Sequence, residues 1–188
     1  MNEKIQKDLY RYVGNQCKKK IIQLRYIFFT PGFTFIWAWR HAKLANNPIS
    51  KLFWRIIHLH FSFKYGIQIP IKTQIGEGFR IVHYGTIVIN ENTIIGKNFN
   101  ISEGALIGNA QGKKKGVPII GDNVCMNANA IIVGNAHIGN NVLIAPGAFI
   151  NFNVPDNSIV IGNPGKIISR QSSPTEKYIV YDIKNFKQ

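Results

Sequence analysis

From Ile69 onward, aliphatic side chains return every six residues: Ile69, Ile75, Ile81 and Ile87. After a short slip come Ile95, Ile101 and Ile107, and after a polar insertion Ile120, Met126, Ile132, Ile138, Ile144 and Ile150. Four positions after most of them stands a small or β-branched residue: Gly85, Ala105, Val124, Ala130, Ala136, Val142, Ala148 and Val154. A helix spaces its apolar residues three and four apart, and a half-buried strand alternates by two. A period of six fits neither. It fits short strands separated by like corners, and the Gly and Asn in IGKNFN, IVGNAH and IGNNVL supply the left-handed backbone that corners need. Such a chain winds into a parallel β-helix, each turn stacked on the last.

The 188 residues suit one domain or one domain with an appendage, and the period divides them. Residues 1–66 read as a basic, aromatic-rich α-helical head, 67–168 as the coil with a loop at 109–118, and 169–188 as a tail. In the head, Ile5, Leu9, Tyr12 and Val13 fall at helical spacing, as do Phe35, Trp39, Ala42 and Leu44. A further helix follows Pro48, with Ser50 as its expected cap, and stops at Tyr65-Gly66. Pro31-Gly32 and Asn46-Asn47-Pro48 mark the breaks. In the tail, KYIVYDI reads as a strand or as a clasp on a neighbouring subunit.

Charge is spread unevenly. The net is +14, and residues 1–66 carry +10 of it, with 12 basic side chains against 2 acidic. That asymmetry points to an anionic partner: nucleic acid, a phospholipid surface or a phosphorylated ligand. Basic residues interleave with aromatics over Lys18 to Arg55, a pattern suited to helices packed on a domain, the favoured reading, or to a peripheral contact with anionic membrane. No nucleic-acid motif accompanies the charge, so no specific nucleic-acid partner is expected. No run approaches the ~20 apolar residues of a membrane span, and MNEKIQKDLYRY lacks a secretory pattern. Cys17 and Cys125 make neither a disulfide framework nor a metal spacing. The expectation is a cytoplasmic protein, at the inner face of the membrane if the head binds lipid.

Residues 30–168 resemble the left-handed β-helix acyltransferases of the hexapeptide-repeat superfamily, in their serine acetyltransferase-like branch. PGFTFIWAWRHAKL is similar to the helix before the coil in that branch, IQIPIKTQIGEGFRIVHYGTIVINENTIIG to its first turns, and ALIGNAQGKKKGVPIIGDNVCMNANAIIVG with its continuation to GNPGKII to its coenzyme turns and closure. O-acetyltransferases of capsule, exopolysaccharide and O-antigen synthesis, such as those of colanic acid, share the pattern. The resemblance implies a mainly β fold, a left-handed coil behind a short helical head, assembled as a homotrimer. It implies acetyl-CoA as co-substrate, with no permanently bound cofactor and no metal. His83 matches the family's catalytic histidine. A neutral imidazole near pH 7 can take the proton of an attacking hydroxyl. Gly108 and Ala128 match residues lining the pantetheine groove. Lys166, in GNPGK, matches the basic residue that approaches the coenzyme phosphates, and Lys113 lies in the insertion that could cover the donor.

The acceptor side departs from serine acetyltransferases. Gln68 stands where their acid orients the imidazole, Val82 where an acid precedes the histidine, and Gly116-Val117-Pro118 where an R-H-P segment holds the amino acid. Glu91 matches an acid that is kept. An amino-acid zwitterion needs charged partners, so the expected acceptor is a saccharide hydroxyl, on a lipid-linked saccharide if the head meets membrane. L-serine is the alternative acceptor. His137 reads as structural.

Overall fold

The computed structural model describes residues 1–187. Four helices come first: α1 (Glu3–Val13), α2 (Lys20–Phe29), α3 (Pro31–Leu44) and α4 (Pro48–Tyr65), with a 3-10 turn at Gly14–Lys18 between the first two. The cap of α4 is Asn47, not Ser50: the Asn47 side chain accepts from the Ser50 N–H at 2.8 Å. Pro48 has no N–H and a φ already set for a first helical turn, so the capping oxygen comes from the residue before it. Gly66, left-handed at φ 65, ends the helix.

Fifteen short strands follow: β1 (Ile67–Gln68), β2 (Gln74–Ile75), β3 (Arg80–Ile81), β4 (Ile87–Ile89), β5 (Ile94–Ile95), β6 (Asn100–Ile101), β7 (Leu106–Gly108), β8 (Ile119–Ile120), β9 (Cys125–Met126), β10 (Ile131–Val133), β11 (His137–Ile138), β12 (Leu143–Ile144), β13 (Phe149–Ile150), β14 (Ser158–Ile161) and β15 (Lys166–Ser169). They form three sheets, ordered β1-β4-β7-β10-β13, β2-β5-β8-β11 and β3-β6-β9-β12-β14-β15. All pairings are parallel except the last, where β15 turns back on β14 and closes the stack. The chain visits the three sheets in rotation, so it forms a three-sided coil.

One aliphatic residue per strand points inward, and Ile75, Ile81, Ile95, Ile101, Ile107, Ile120, Met126, Ile132, Ile138, Ile144 and Ile150 are all buried in one core. The slip lies elsewhere than the spacing suggests. Ile89, not Ile87, pairs with Ile107 in the inward column, and Val88 pairs with Leu106. Ile87 therefore fills the position that Ala105 holds one turn higher, and Gly85 is not part of that small-residue column. The two extra residues sit in the corner between Ile81 and Ile87, around His83.

At the corner between the second and third sheets, Gly78 and then Asn98, Asn123, Asn141 and Asn157 adopt left-handed backbone, with φ between 55 and 76. The four asparagines hand hydrogen bonds up the stack, Asn98 to Asn123 at 2.9 Å, Asn123 to Asn141 at 3.0 Å and Asn141 to Asn157 at 2.9 Å. The residue type that tolerates the turn thus also satisfies its own amide. Gly78 begins the column because a Cβ there would sit 2.8 Å from both Asn98 Oδ1 and Ile183 Cγ2.

A coil needs its open ends covered. Helix α3 covers the first: Phe35, Ile36 and Trp39 are buried with Ile67, Ile69, Phe79 and Ile81 in the coil's own core. Trp39 Nε1 donates to Pro70 O at 3.0 Å, and Arg40 donates to Ile75 O through Nη1 and to Gly76 O through Nη2, while Nε and Nη2 together hold the Asp8 carboxylate. Asp8 in turn accepts from the Phe79 N–H at 2.8 Å. The tail beyond β15 is not a strand. It runs back along its own chain: Asn100 Nδ2 donates to Tyr178 O, Asn98 Nδ2 to Asp182 Oδ1, and Tyr10 packs edge-on against Tyr181 and Phe186.

Candidate active site

The edge between the third and first sheets collects most of the residues singled out in the sequence. Counting three residues past the paired positions Arg80, Asn100 and Cys125 gives His83, Glu103 and Ala128 on successive levels. Backbone bonds tie those levels together, Gly104 N to Gly85 O at 3.0 Å and Asn129 N to Glu103 O at 2.9 Å. Lys166, at the start of β15, is exposed above the same edge, beyond Gly162 to Gly165. With about 4.8 Å between levels, Ala128 lies roughly 10 Å above His83 along the stack. The edge is thus a track for an extended ligand rather than a round pocket.

His83 projects because its corner is long. From the inward Ile81 to the sheet position of Val88 is seven residues, whereas Ile101 to Leu106 and Met126 to Ile131 are five. The extra backbone lifts His83 and Tyr84 into solvent, with Thr86 held at φ 49. Tyr84 leans edge-on against Tyr65 at 5.6 Å, which ties the corner to the end of α4. Glu103, one level up, has a carboxylate oxygen (Oε2) that is buried without a hydrogen-bond partner. Neither the spacing nor the resemblance singles this residue out. Its one signal is an acid inside the repeat ISEGAL, at a position that His83 and Ala128 hold on the neighbouring turns.

The remaining candidates are spread over the adjoining face and the next edge. Gln68 and Gly108 both lie on the first sheet, Gln68 opposite Val88 and Gly108 opposite Val133. The insertion at 109–118 starts directly after Gly108. It is pinched by the Ala110–Gly116 bridge and carries exposed Lys113 on a 3-10 turn, Gly112–Lys114. Glu91 lies beyond β4, at the opposite end of that strand from His83, in a cleft of about 350 Å³ with Arg55, His58, Leu59 and Lys72. Within one chain, then, the fold brings His83, Ala128 and Lys166 to one edge, sets Gln68 and Gly108 on the adjoining face, and separates Glu91 from His83. Among the described residues, no hydrogen bond or ion pair links His83 to Gln68 or Glu91.

Other reactive groups are buried or stand on another face. Burial pushes the Cys125 thiol up to about 12 and raises that of Cys17, so neither is a ready thiolate. His58 is buried, with Nε2 3.1 Å from Ile69 O, and His137 is exposed on the second sheet. A cleft of about 450 Å³ lies between the tail and the asparagine column, away from His83.

No family model matches the chain. Over 134 residues it is 36% identical to the Escherichia coli colanic acid biosynthesis acetyltransferase WcaB, a stretch covering 69% of this chain and 80% of that protein. The chain belongs to the hexapeptide-repeat acyltransferases. It is also 34% identical over 139 residues to serine acetyltransferase 2 of Arabidopsis thaliana, covering 73% of this chain but only 43% of that relative. Among solved structures, the serine acetyltransferase of Neisseria gonorrhoeae superposes with a TM-score of 0.71 at 27% identity, covering 93% of this chain and 69% of that one. In this acyltransferase the closing GNPGK segment has a physical reason for its second glycine. A Cβ at Gly165 would stand 2.5 Å from Phe149 O, the same oxygen that accepts from the Gly165 N–H.

Proposed function

We propose that the chain transfers an acetyl group from acetyl-CoA to a hydroxyl of a saccharide acceptor in surface-polysaccharide synthesis, as a homotrimer of left-handed coils. The observation that carries this reading is the enlarged corner that presents His83 on the same edge as Ala128 and Lys166. His83 takes the acceptor's proton as its oxygen attacks the thioester carbonyl. Backbone N–H groups steady the oxyanion, and the imidazolium returns the proton to the departing thiolate. No covalent enzyme intermediate is required, in keeping with the buried thiols. Ala128 and Gly108 leave room for the pantetheine arm, while Lys166 and Lys113 meet its phosphates.

An exposed ridge does not enclose a substrate, and small-molecule sites are concave. A neighbouring coil laid against the His83 edge makes the missing wall, and it would bring a second chain's face, with its Gln68 or Glu91, opposite His83. On that edge the carboxylate available to steady an imidazolium is Glu103, since Gln68 carries no charge. The neutral Gln68 and Val82 suit a sugar better than an amino acid, and the match to WcaB over most of its length supports the same acceptor class. The second reading, transfer to L-serine, draws on the serine acetyltransferase relatives, one of which is solved with serine bound, and on the mixed charges of Glu91, Arg55 and Lys72 in one cleft.

The test is coenzyme A release from acetyl-CoA by wild type and His83→Ala, with a saccharide panel and L-serine as acceptors. Sugar-dependent turnover, with kcat lower in the variant by ~10²–10⁴ and coenzyme affinity kept, is expected. Loss of coenzyme binding in His83→Ala would make the residue structural. Turnover with serine alone would hand the assignment to the second reading.

A further inference from the structure

Helix α4 carries its apolar stripe on the wrong side for packing. Ile49, Leu52, Phe53, Ile56, Leu59 and Phe63 recur at helical spacing, and all are exposed, from 42% at Leu59 to 85% at Phe63. The opposite face, with His58 buried and Trp54 and Tyr65 half-buried, is the one turned to α3 and the coil. Helix α2 repeats the pattern: Ile21, Leu24, Phe28 and Phe29 are 71%, 52%, 69% and 80% exposed. Of the eleven large apolar side chains more than half exposed among the described residues, nine lie on these two helices. The packing role expected for the head's aromatics therefore holds for Phe33, Phe35 and Trp39, holds in part for Tyr26, Trp37, Phe61 and Tyr65, and fails for Phe28, Phe29, Phe53 and Phe63. A patch of this kind marks a docking surface.

Charge identifies the occupant. Between Asp8 and Glu77 the chain has eleven basic residues and no acidic one. Lys18, Lys19, Lys20 and Arg25 flank or interrupt the α2 stripe, and Lys51, Arg55 and Lys64 border that of α4. Among the described residues none of these seven makes an ion pair. A second copy would bring the same uncompensated positive charge to the contact. A nucleic acid would satisfy the charge but leave Ile49, Leu52, Ile56 and Leu59 without an apolar phase. An anionic bilayer surface supplies both. We infer that the outer faces of α2 and α4 seat the protein on an anionic lipid bilayer, with the side chains of Phe28, Phe29, Phe53 and Phe63 entering the acyl boundary and the basic residues at the headgroups. The contact is peripheral: among the described residues no helix is long and apolar enough to cross a membrane. Such a seat would hold the His83 edge beside an acceptor carried on a lipid, but lipid binding itself does not depend on what the acceptor is.

Co-sedimentation of the full chain with vesicles tests this, comparing phosphatidylglycerol-phosphatidylethanolamine with pure phosphatidylcholine. Binding to the anionic vesicles at least tenfold tighter, weakening as salt rises, is expected. Lys51→Ala with Arg55→Ala should weaken it roughly twenty-fivefold, at about fivefold per basic charge, and Phe53→Ser with Phe63→Ser by tenfold or more. Circular dichroism checks that these surface variants stay folded. Equal binding to both vesicle types, or no binding to either, overturns the proposal. Concentration-dependent self-association without lipid that Phe53→Ser with Phe63→Ser abolishes would instead make the face an interface between copies. The assay reads binding alone, so its failure leaves the acetyl-transfer reading standing.

Discussion

The helical head and the coil solve the same problem in opposite ways. The coil is built of near-identical levels, each resting on the next through one inward aliphatic residue and a short ladder per strand and, from Asn98 upward, an asparagine bond, so its stability is spread over many like contacts. The head has no repeat. It is attached by the apolar cover of Phe35, Ile36 and Trp39 and by a few polar groups, above all the fully buried Asp8 that holds Arg40 at 2.7 Å and the Phe79 N–H at 2.8 Å. Tyr12 adds one tie, its hydroxyl donating to Ile81 O and accepting from Ile81 N–H. A distributed structure tolerates local loss, whereas one held by a few buried polar groups does not.

The sharpest way to break that contrast is Asp8→Ala. It strands the Arg40 guanidinium in a dry site and removes the acceptor of Phe79, for an expected cost of about 3–5 kcal/mol in chemical denaturation. A loss below 1 kcal/mol would show that the head is attached chiefly by its aromatic contacts. In the coil, Asn141→Ala forfeits two ladder bonds and puts a Cβ residue with no local hydrogen bond at φ 57. Roughly 2–3 kcal/mol is expected. Asn141→Gly keeps the backbone conformation and should cost about 1 kcal/mol less. Equal effects would mean that the bonds, not the turn, hold the corner.

The smallest effect is one of pH. Burial lowers the pKa of His58 below its usual 6.5, against the opposing pull of Ile69 O, and burial lowers that of His41, which stacks on Trp54 at 4.2 Å. Below about 6.5 the unfolded chain takes up protons that these folded imidazoles refuse, so stability falls as the pH drops from there. Thermal melts at pH 7 and pH 5.5 should show the fall, and His58→Gln should flatten it. An unchanged slope in that variant would place the titration on His41 or elsewhere.

Legibility follows the same division. The inward isoleucines, the asparagine corners and the candidate edge residues His83, Ala128 and Lys166 could be read from spacing and resemblance, because each level repeats rules that act over six residues. The slip could be seen but not placed. Ile87 and Ile89 are both buried isoleucines two residues apart, and only the pairing of Ile89 with Ile107 decides which one faces the inward column. Glu103 was not singled out for a related reason: an acid at a corner is ordinary until the folded chain buries one of its oxygens. The direction of the α4 stripe was unreadable as well, since its two faces are both rich in apolar and aromatic residues and periodicity alone does not say which of them meets α3.

What the sequence determined by itself is the coil, down to which residues point inward on most levels, because strand, corner and spacing are local and are repeated until chance cannot imitate them. What only the tertiary structure decided is where the repeat is broken and what the break does. Stacking one level on another put the two extra residues beneath His83, buried an oxygen of Glu103, and spent the inner face of α4 on α3 while leaving its outer face bare. Those outcomes depend on which surfaces meet, and contact between distant segments is set by packing rather than by the period of either one.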